Sequence, residues 1–162
     1  SEPRLGNIIG DYLRQKYRLN YIELNETKNL SPKQRVFSQR WHKDPHIEGA
    51  VKVFIYWSDV TSEAGPFRYI KGSQFSGRNH PTHKNKRFGG SVYFTEEDIE
   101  KLEIDDSEVI DLTGNKGTVI IADTSGMHCG GHANPGYSRV MSTFVYYPKL
   151  SGFPAPISLS KD

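Results

Sequence analysis

The chain has 162 residues, 35% of them hydrophobic, 12% aromatic and 25% charged, with a formal net charge of +2. That length suits one domain with a real core, the composition is too apolar for a disordered chain, and the charge is too mild to argue for nucleic acid. No apolar run approaches the roughly 20 residues that cross a bilayer, "SEPRLGNIIG" lacks a signal-peptide pattern, and the single cysteine, Cys129, excludes a disulfide framework and fits the cytoplasm.

In chain order, Leu5, Ile8, Ile9, Tyr12 and Leu13 keep the spacing of one buried helical face, and Pro3 suits a first turn. After "NYIEL" and a polar turn the chain reads as β. "RVFSQRWHKD" is expected as one extended strand ending at Pro45. In "AVKVFIYWSDV" the alternation puts Val51, Val53, Ile55 and Trp57 on one face and Lys52, Phe54, Tyr56 and Ser58 on the other. "GPFRYIKGS" reads as a short strand after a Gly-Pro turn. Phe75 to Gly90 is a polar loop, longer than most connections in a compact domain. "TEEDIEKL" starts a short helix with Thr95 as N-cap. Three strand-like runs follow, "EVIDLTG", "GTVIIAD" and "RVMSTFVYYP", and the tail "SGFPAPISLSKD" is expected to lie irregularly over the surface. Many short strands punctuated by Gly and Pro predict a mainly β fold, an antiparallel sandwich or jelly roll with a few flanking helices. No internal repeat divides the chain, so the expectation is a single domain over residues 1–162.

The chemistry starts at "QRWHKDPH", Gln39 to His46. Alternate strand residues face the same way, so His42 and Asp44 project together, about 6 to 7 Å apart along the backbone. Two such groups at a strand end can hold one metal ion, and His128, in "ADTSGMHCGGH", is the best third ligand. Two histidines and a carboxylate on one face of an octahedron leave three cis positions open, the set used by non-haem Fe(II) oxygenases and avoided by structural zinc sites. An HxD pair alone is common by chance, and a strand histidine hydrogen-bonded to Asp44 explains it equally well. Arg139, 11 residues beyond His128, raises the odds, because a buried arginine there could pair with the far carboxylate of a dicarboxylic cosubstrate. Taken alone, a solvated strand end is its simpler reading.

Three ordered blocks, "QRWHKD", "VKVFIYWSDVTSEAGPFRYIKGSQ" and "KGTVIIADTSGMHCGGHANPGYSRVMSTFVYY", spread over roughly Gln39 to Tyr147, resemble the phytanoyl-CoA dioxygenase family of Fe(II)- and 2-oxoglutarate-dependent oxygenases. The resemblance implies a double-stranded β-helix, the cupin-like jelly roll. It implies that His42, Asp44 and His128 hold Fe(II) and that Arg139 binds the distal carboxylate of 2-oxoglutarate. Tyr56 and Trp57 lie on a strand that in the family helps wall the cosubstrate pocket. Thr143, on the face of Arg139, is a candidate to assist it, and Lys52 is a weaker candidate for the same end. Family members often carry a small hydroxyl residue two positions after the distal histidine, where this chain has Gly130, and "PGSH" appears here as "KGSQ". Only 41 residues precede His42, so the resemblance also implies a domain shortened at its N-terminus. The implied reaction converts 2-oxoglutarate and O2 to succinate and CO2 while hydroxylating a small organic molecule. Related halogenases lack the carboxylate, so Asp44 favours hydroxylation.

Two other readings stand beside this one: a cupin-like metalloprotein that does not use 2-oxoglutarate, and a non-catalytic β-sandwich binding module. His80, His83, Lys84, Lys86 and Arg87 make the 75–90 loop a candidate cover for an anionic substrate or a candidate nucleic-acid contact, although a solvated loop is a simpler reading than either. "HCGGH" has the spacing of a helical zinc motif, but its two glycines argue against a helix. Cys129 reads as a buried thiol. The expected partners are a small-molecule substrate and O2, with neither nucleic acid nor membrane, and self-association is left open.

Overall fold

The short Gly- and Pro-bounded runs become antiparallel strands throughout. The structure is a computed structural model, and it describes residues 3–27, 29, 37–44, 50–75, 77–80, 87–88 and 91–149. Pro45, His83, Lys84, Lys86 and the tail from 150 onward lie outside the described residues. Helix α1 (Pro3–Leu13) leads into β1 (Tyr17–Thr27), then a 3-10 turn (Phe37–Gln39), β2 (His42–Lys43), β3 (Val51–Tyr56) and β4 (Phe67–Ile70). Strands β5 (Arg87–Phe88) and β6 (Ser91–Tyr93) precede α2 (Glu96–Glu100) and a second 3-10 turn (Asp106–Glu108). The chain ends in β7 (Val109–Leu112), β8 (Val119–Asp123), β9 (His128–Gly130) and β10 (Arg139–Pro148).

These strands form a four-stranded sheet, β1-β10-β3-β8, and a six-stranded sheet, β5-β6-β2-β9-β4-β7. Strand β2 pairs with β9 in one sheet, β3 pairs with β8 in the other, and β4 with β7 back in the first, which is the path of the expected double-stranded β-helix. The interior between the sheets is filled by Phe54, Tyr56, Val60, Phe67, Ile120 and Met141. The rings of Phe54 and Phe67 lie 4.5 Å apart, a spacing at which aromatic pairs attract beyond their buried area.

Which face of β3 looks inward decides where the site can be. Val51 and Val53, the more apolar face, pack outward under Ile9 and Leu13 of α1. Phe54 and Tyr56 point into the sandwich, and Lys52 shares their side. Helix α1 runs as the spacing predicts, with Ile9 and Leu13 buried, but Ile8 and Tyr12 are half-exposed, so its apolar stripe is wider than the surface it covers. Strand β1 starts earlier than expected and includes "NYIEL", because its ladder runs along β10 from the pair Tyr17 and Pro148 to the pair Thr27 and Arg139.

Of the single long strand expected up to Pro45, Arg35 and Val36 lie outside the described residues, and the rest is a 3-10 turn followed by the two-residue β2. The strand is short but held on both sides, since His42 faces Tyr93 of β6 and His128 of β9. Helix α2 carries the expected cap, in which the Asp98 N–H donates to Thr95 Oγ1 and the Thr95 N–H donates back to the Asp98 carboxylate. The 75–90 segment is not all loop, because Arg87 and Phe88 pair with β6. No helix among the described residues is long and apolar enough to cross a membrane.

Candidate metal centre

The register of β2 against β9 makes His42 and His128 direct cross-strand partners, with ring centroids 4.2 Å apart. Both are buried, and each ring has one nitrogen committed. His42 Nδ1 lies 2.7 Å from the Arg40 carbonyl and His128 Nδ1 lies 2.9 Å from the Gly126 carbonyl. A carbonyl only accepts, so both Nδ1 atoms carry the proton and donate it, and both Nε2 lone pairs are left free. This backbone brace is the arrangement that orients metal-binding imidazoles.

Asp44 follows β2 directly, and its N–H donates to the Thr124 carbonyl at 2.9 Å. That bond sets the carboxylate between the rings, with Oδ1 3.9 Å from His42 Nε2 and Oδ2 3.9 Å from His128 Nε2. One ligand atom from each of the three residues lies within 4.8 Å of the others. Cis ligands at about 2.1 Å from a common ion stand about 3 Å apart, so side-chain shifts of roughly an ångström close the set. Residues 84 positions apart in sequence, Asp44 and His128, are thus brought to a distance at which they could share an ion.

Lys52 is also here, with Nζ 2.6 Å from Asp44 Oδ2. The expectation that it sits at the Arg139 end is corrected. Lys52 is opposite Val145 in the β3–β10 ladder, six residues along β10 from Arg139, or about 20 Å of strand. Burial works against the Asp44 carboxylate, but Lys52 first, then His128 and His42, outweigh it and hold its pKa well below the ordinary range. Burial pushes the His42 pKa down, and burial together with the neighbouring His42 ring pushes His128 down to about 3. Both imidazoles are therefore neutral at pH 7, the form a metal requires.

The same shifts set the pH response of the metal-free protein. A depressed folded-state pKa means that the unfolded chain takes up the protons. The histidines' contribution to stability is complete above about 6.5 and is lost as pH falls from there toward the folded value. Asp44 adds a loss of the same sign below its ordinary 3.8. The urea midpoint of metal-free protein should fall continuously from pH 7 to pH 4, and a flat profile would contradict this electrostatic picture.

At the other end of the interior, Arg139 opens β10 and is 4% exposed. Its Nη2–H donates to Thr27 Oγ1 at 3.0 Å, while Nε and Nη1 are buried without a hydrogen-bond partner. A guanidinium stays charged at any pH a protein meets, so a buried charge is left with two donors short of an acceptor and only the Tyr56 hydroxyl close by, a deficit an anion would fill. Gly130 lies on the same face of β9 as His128 and about 7 Å along it. A Cβ at Gly130 would come 3.1 Å from Arg139 Nη2, so the glycine leaves room for the guanidinium. Thr143 is buried on the Arg139 face of β10. Tyr56 is fully buried beside Arg139, donating its hydroxyl to the Leu112 carbonyl at 2.7 Å and accepting the Phe67 N–H.

Trp57 is not brought into this group. It is 47% exposed on the opposite face, and its Nε1–H donates to Ser142 Oγ at 2.6 Å. On the expectation, implied by the resemblance, that 2-oxoglutarate sits at Arg139, Trp57→Ala should change its affinity less than about twofold, whereas a tenfold loss by calorimetry would put the indole at the cosubstrate. Lys43 turns away from the ligands, its Nζ 3.1 Å from His80 Nδ1. His128 to Gly130 form a strand and not a helix, so the HCGGH spacing makes no helical zinc pair, and Cys129 is buried. Sequence reasoning missed the Arg40 and Gly126 carbonyls and Thr27. Backbone acceptors leave no residue signature, and Thr27 meets Arg139 only through the β1–β10 register.

Residues 29–140 match the family model described as phytanoyl-CoA dioxygenase. No curated protein matches the chain in sequence. Among solved structures, EctD from S. alaskensis with 2-oxoglutarate and 5-hydroxyectoine superposes with a TM-score of 0.62 at 20% identity, covering 98% of this chain and 54% of that one. HygX from Streptomyces hygroscopicus with nickel and 2-oxoglutarate bound gives 0.62 at 17% identity, covering 92% and 63%. The epimerase SnoN, in complex with Fe3+, alpha ketoglutarate and nogalamycin RO, gives 0.64 at 13% identity, covering 91% and 56%. The chain thus spans between about half and two thirds of the length of these proteins, and they share its fold.

Proposed function

Because the chain belongs to the phytanoyl-CoA dioxygenase family, we propose that it is an Fe(II)- and 2-oxoglutarate-dependent dioxygenase that hydroxylates a small organic substrate. The observation that carries the reading is the pairing of three convergent ligand groups with a buried guanidinium whose Nε and Nη1 have no partner. A metal site alone fits many proteins. A metal site with an unsatisfied buried cation behind it fits a chelating diacid.

When bound, Fe(II) with 2-oxoglutarate and O2 supplies the oxidising chemistry, with succinate and CO2 as co-products. The chain's own part is placement. His42 and His128 offer Nε2, each held by a carbonyl on Nδ1, and Asp44 offers a carboxylate that remains ionised. Arg139 takes the far carboxylate of the diacid as a charge-assisted pair, with Tyr56 beside it and Thr143 on the same face of β10, about 13 Å along the strand. Phe54, Phe67 and Met141 keep the surrounding interior dry, which strengthens each of these charge contacts.

The small-molecule assignment is supported by the organic ligands carried by the similar structures, 5-hydroxyectoine and nogalamycin RO. The lone thiol Cys129 suits the cytoplasm. The test needs no knowledge of the substrate. Protein supplied with Fe(II), O2 and 2-oxoglutarate labelled at the C1 carboxylate should release labelled CO2 slowly and in an iron-dependent manner. Iron uptake with no decay or binding of 2-oxoglutarate would leave the cupin-like metalloprotein as the correct reading.

A further inference from the structure

Lys52 is the group in the site that neither ligation nor cosubstrate capture accounts for. A lysine is rarely held inside a sandwich unless something offsets its charge. Here the side chain is 14% exposed and reaches from β3 to Asp44 Oδ2 at 2.6 Å. The two carboxylate oxygens otherwise have near-equal claims on an ion, since Oδ1 and Oδ2 each stand 3.9 Å from one histidine Nε2. Carboxylates bind metals through one oxygen or through both. If both bound, one of the three remaining octahedral positions would be filled, and too few would be left for a two-oxygen chelate and a gas molecule together.

We propose that Lys52 is a positioning residue that occupies one oxygen of Asp44, so that the carboxylate ligates through the other oxygen alone and three cis positions stay open. The inference rests on the functional reading above and deepens it. It also explains an otherwise adverse placement, because a fixed cation beside a dication repels it, and a neutral side chain of the same length would hold metal more tightly. On this account the protein gives up metal affinity to keep coordination sites for the diacid.

The test is a split between two affinities. Lys52→Met should bind Co(II), titrated alone, about threefold or more tightly than the parent, while the Co(II)-loaded variant binds 2-oxoglutarate at least tenfold more weakly. A lysine with a merely structural role would not move the two in opposite directions. Lys52→Arg should restore most of the 2-oxoglutarate affinity. Unchanged 2-oxoglutarate binding by a folded Lys52→Met variant would overturn the proposal. Should that variant fail to fold, a crystal structure of the Mn(II)-loaded parent decides: one Asp44 oxygen on the metal with Lys52 on the other supports the role, and both oxygens on the metal contradict it. The functional reading itself fails differently, by parent protein that takes up metal and never binds 2-oxoglutarate.

Discussion

Replacing Asp44 with alanine should abolish Fe(II) binding and lower the stability of the metal-free protein by about 3 to 5 kcal/mol. The first effect follows from losing the one anionic group in the ligand set. The second follows from Lys52, whose ammonium lies 2.6 Å from Asp44 Oδ2 with only 14% of its side chain exposed. Removing the carboxylate strands that charge in the interior. The double variant Asp44→Ala/Lys52→Met should recover most of the stability and none of the iron binding, which separates the electrostatic cause from the ligand role in one cycle. Urea unfolding of metal-free proteins and iron content after anaerobic loading are the measurements. A single Asp44→Ala variant as stable as the parent would contradict the buried ion pair.

Arg139→Met should act in the opposite sense on the empty protein. Its unpartnered Nε and Nη1 are a standing cost, roughly 1 to 3 kcal/mol for an unsatisfied buried polar group and more for a charged one. A methionine fills the space without that cost, so the metal-free variant should melt a few degrees higher than the parent. Binding of 2-oxoglutarate should weaken by about 2 to 5 kcal/mol, the range for truncating one member of a buried charge pair, or at least thirtyfold. Iron uptake should change less than threefold, because the guanidinium makes no contact with the ligand set. A variant that loses stability and keeps 2-oxoglutarate would show that Arg139 serves the fold and not the site.

The parts of this picture that could be read from sequence are those fixed by local periodicity. His42 and Asp44 share a side because strand residues alternate, and the Thr95 cap is complete within four residues. What sequence left open is register. That His42 faces His128 across β2 and β9 is a pairing between segments 86 residues apart, and β9 itself contains Cys129 and Gly130, which give no strand signal. The two faces of β3 were visible, but not which one turns inward. Hydrophobicity favours Val51 and Val53 as the interior face, yet those pack beneath α1 while the face carrying Lys52 looks onto the site. Functional residues broke the apolar rule there, as sites are expected to do. The run before β2 reads as one strand because Arg35 to Asp44 contains no Gly or Pro to mark the 3-10 turn at Phe37–Gln39.

The proposed function needs His42, Asp44 and His128 to hold one iron within reach of a diacid anchored on Arg139. Its most direct measurement is the visible absorption of the protein mixed anaerobically with Fe(II) and then with 2-oxoglutarate. A weak charge-transfer band that grows to one equivalent of 2-oxoglutarate, and is lost in Arg139→Met at the same concentration, is the expected result. Tight iron binding with no band at any 2-oxoglutarate concentration would contradict it.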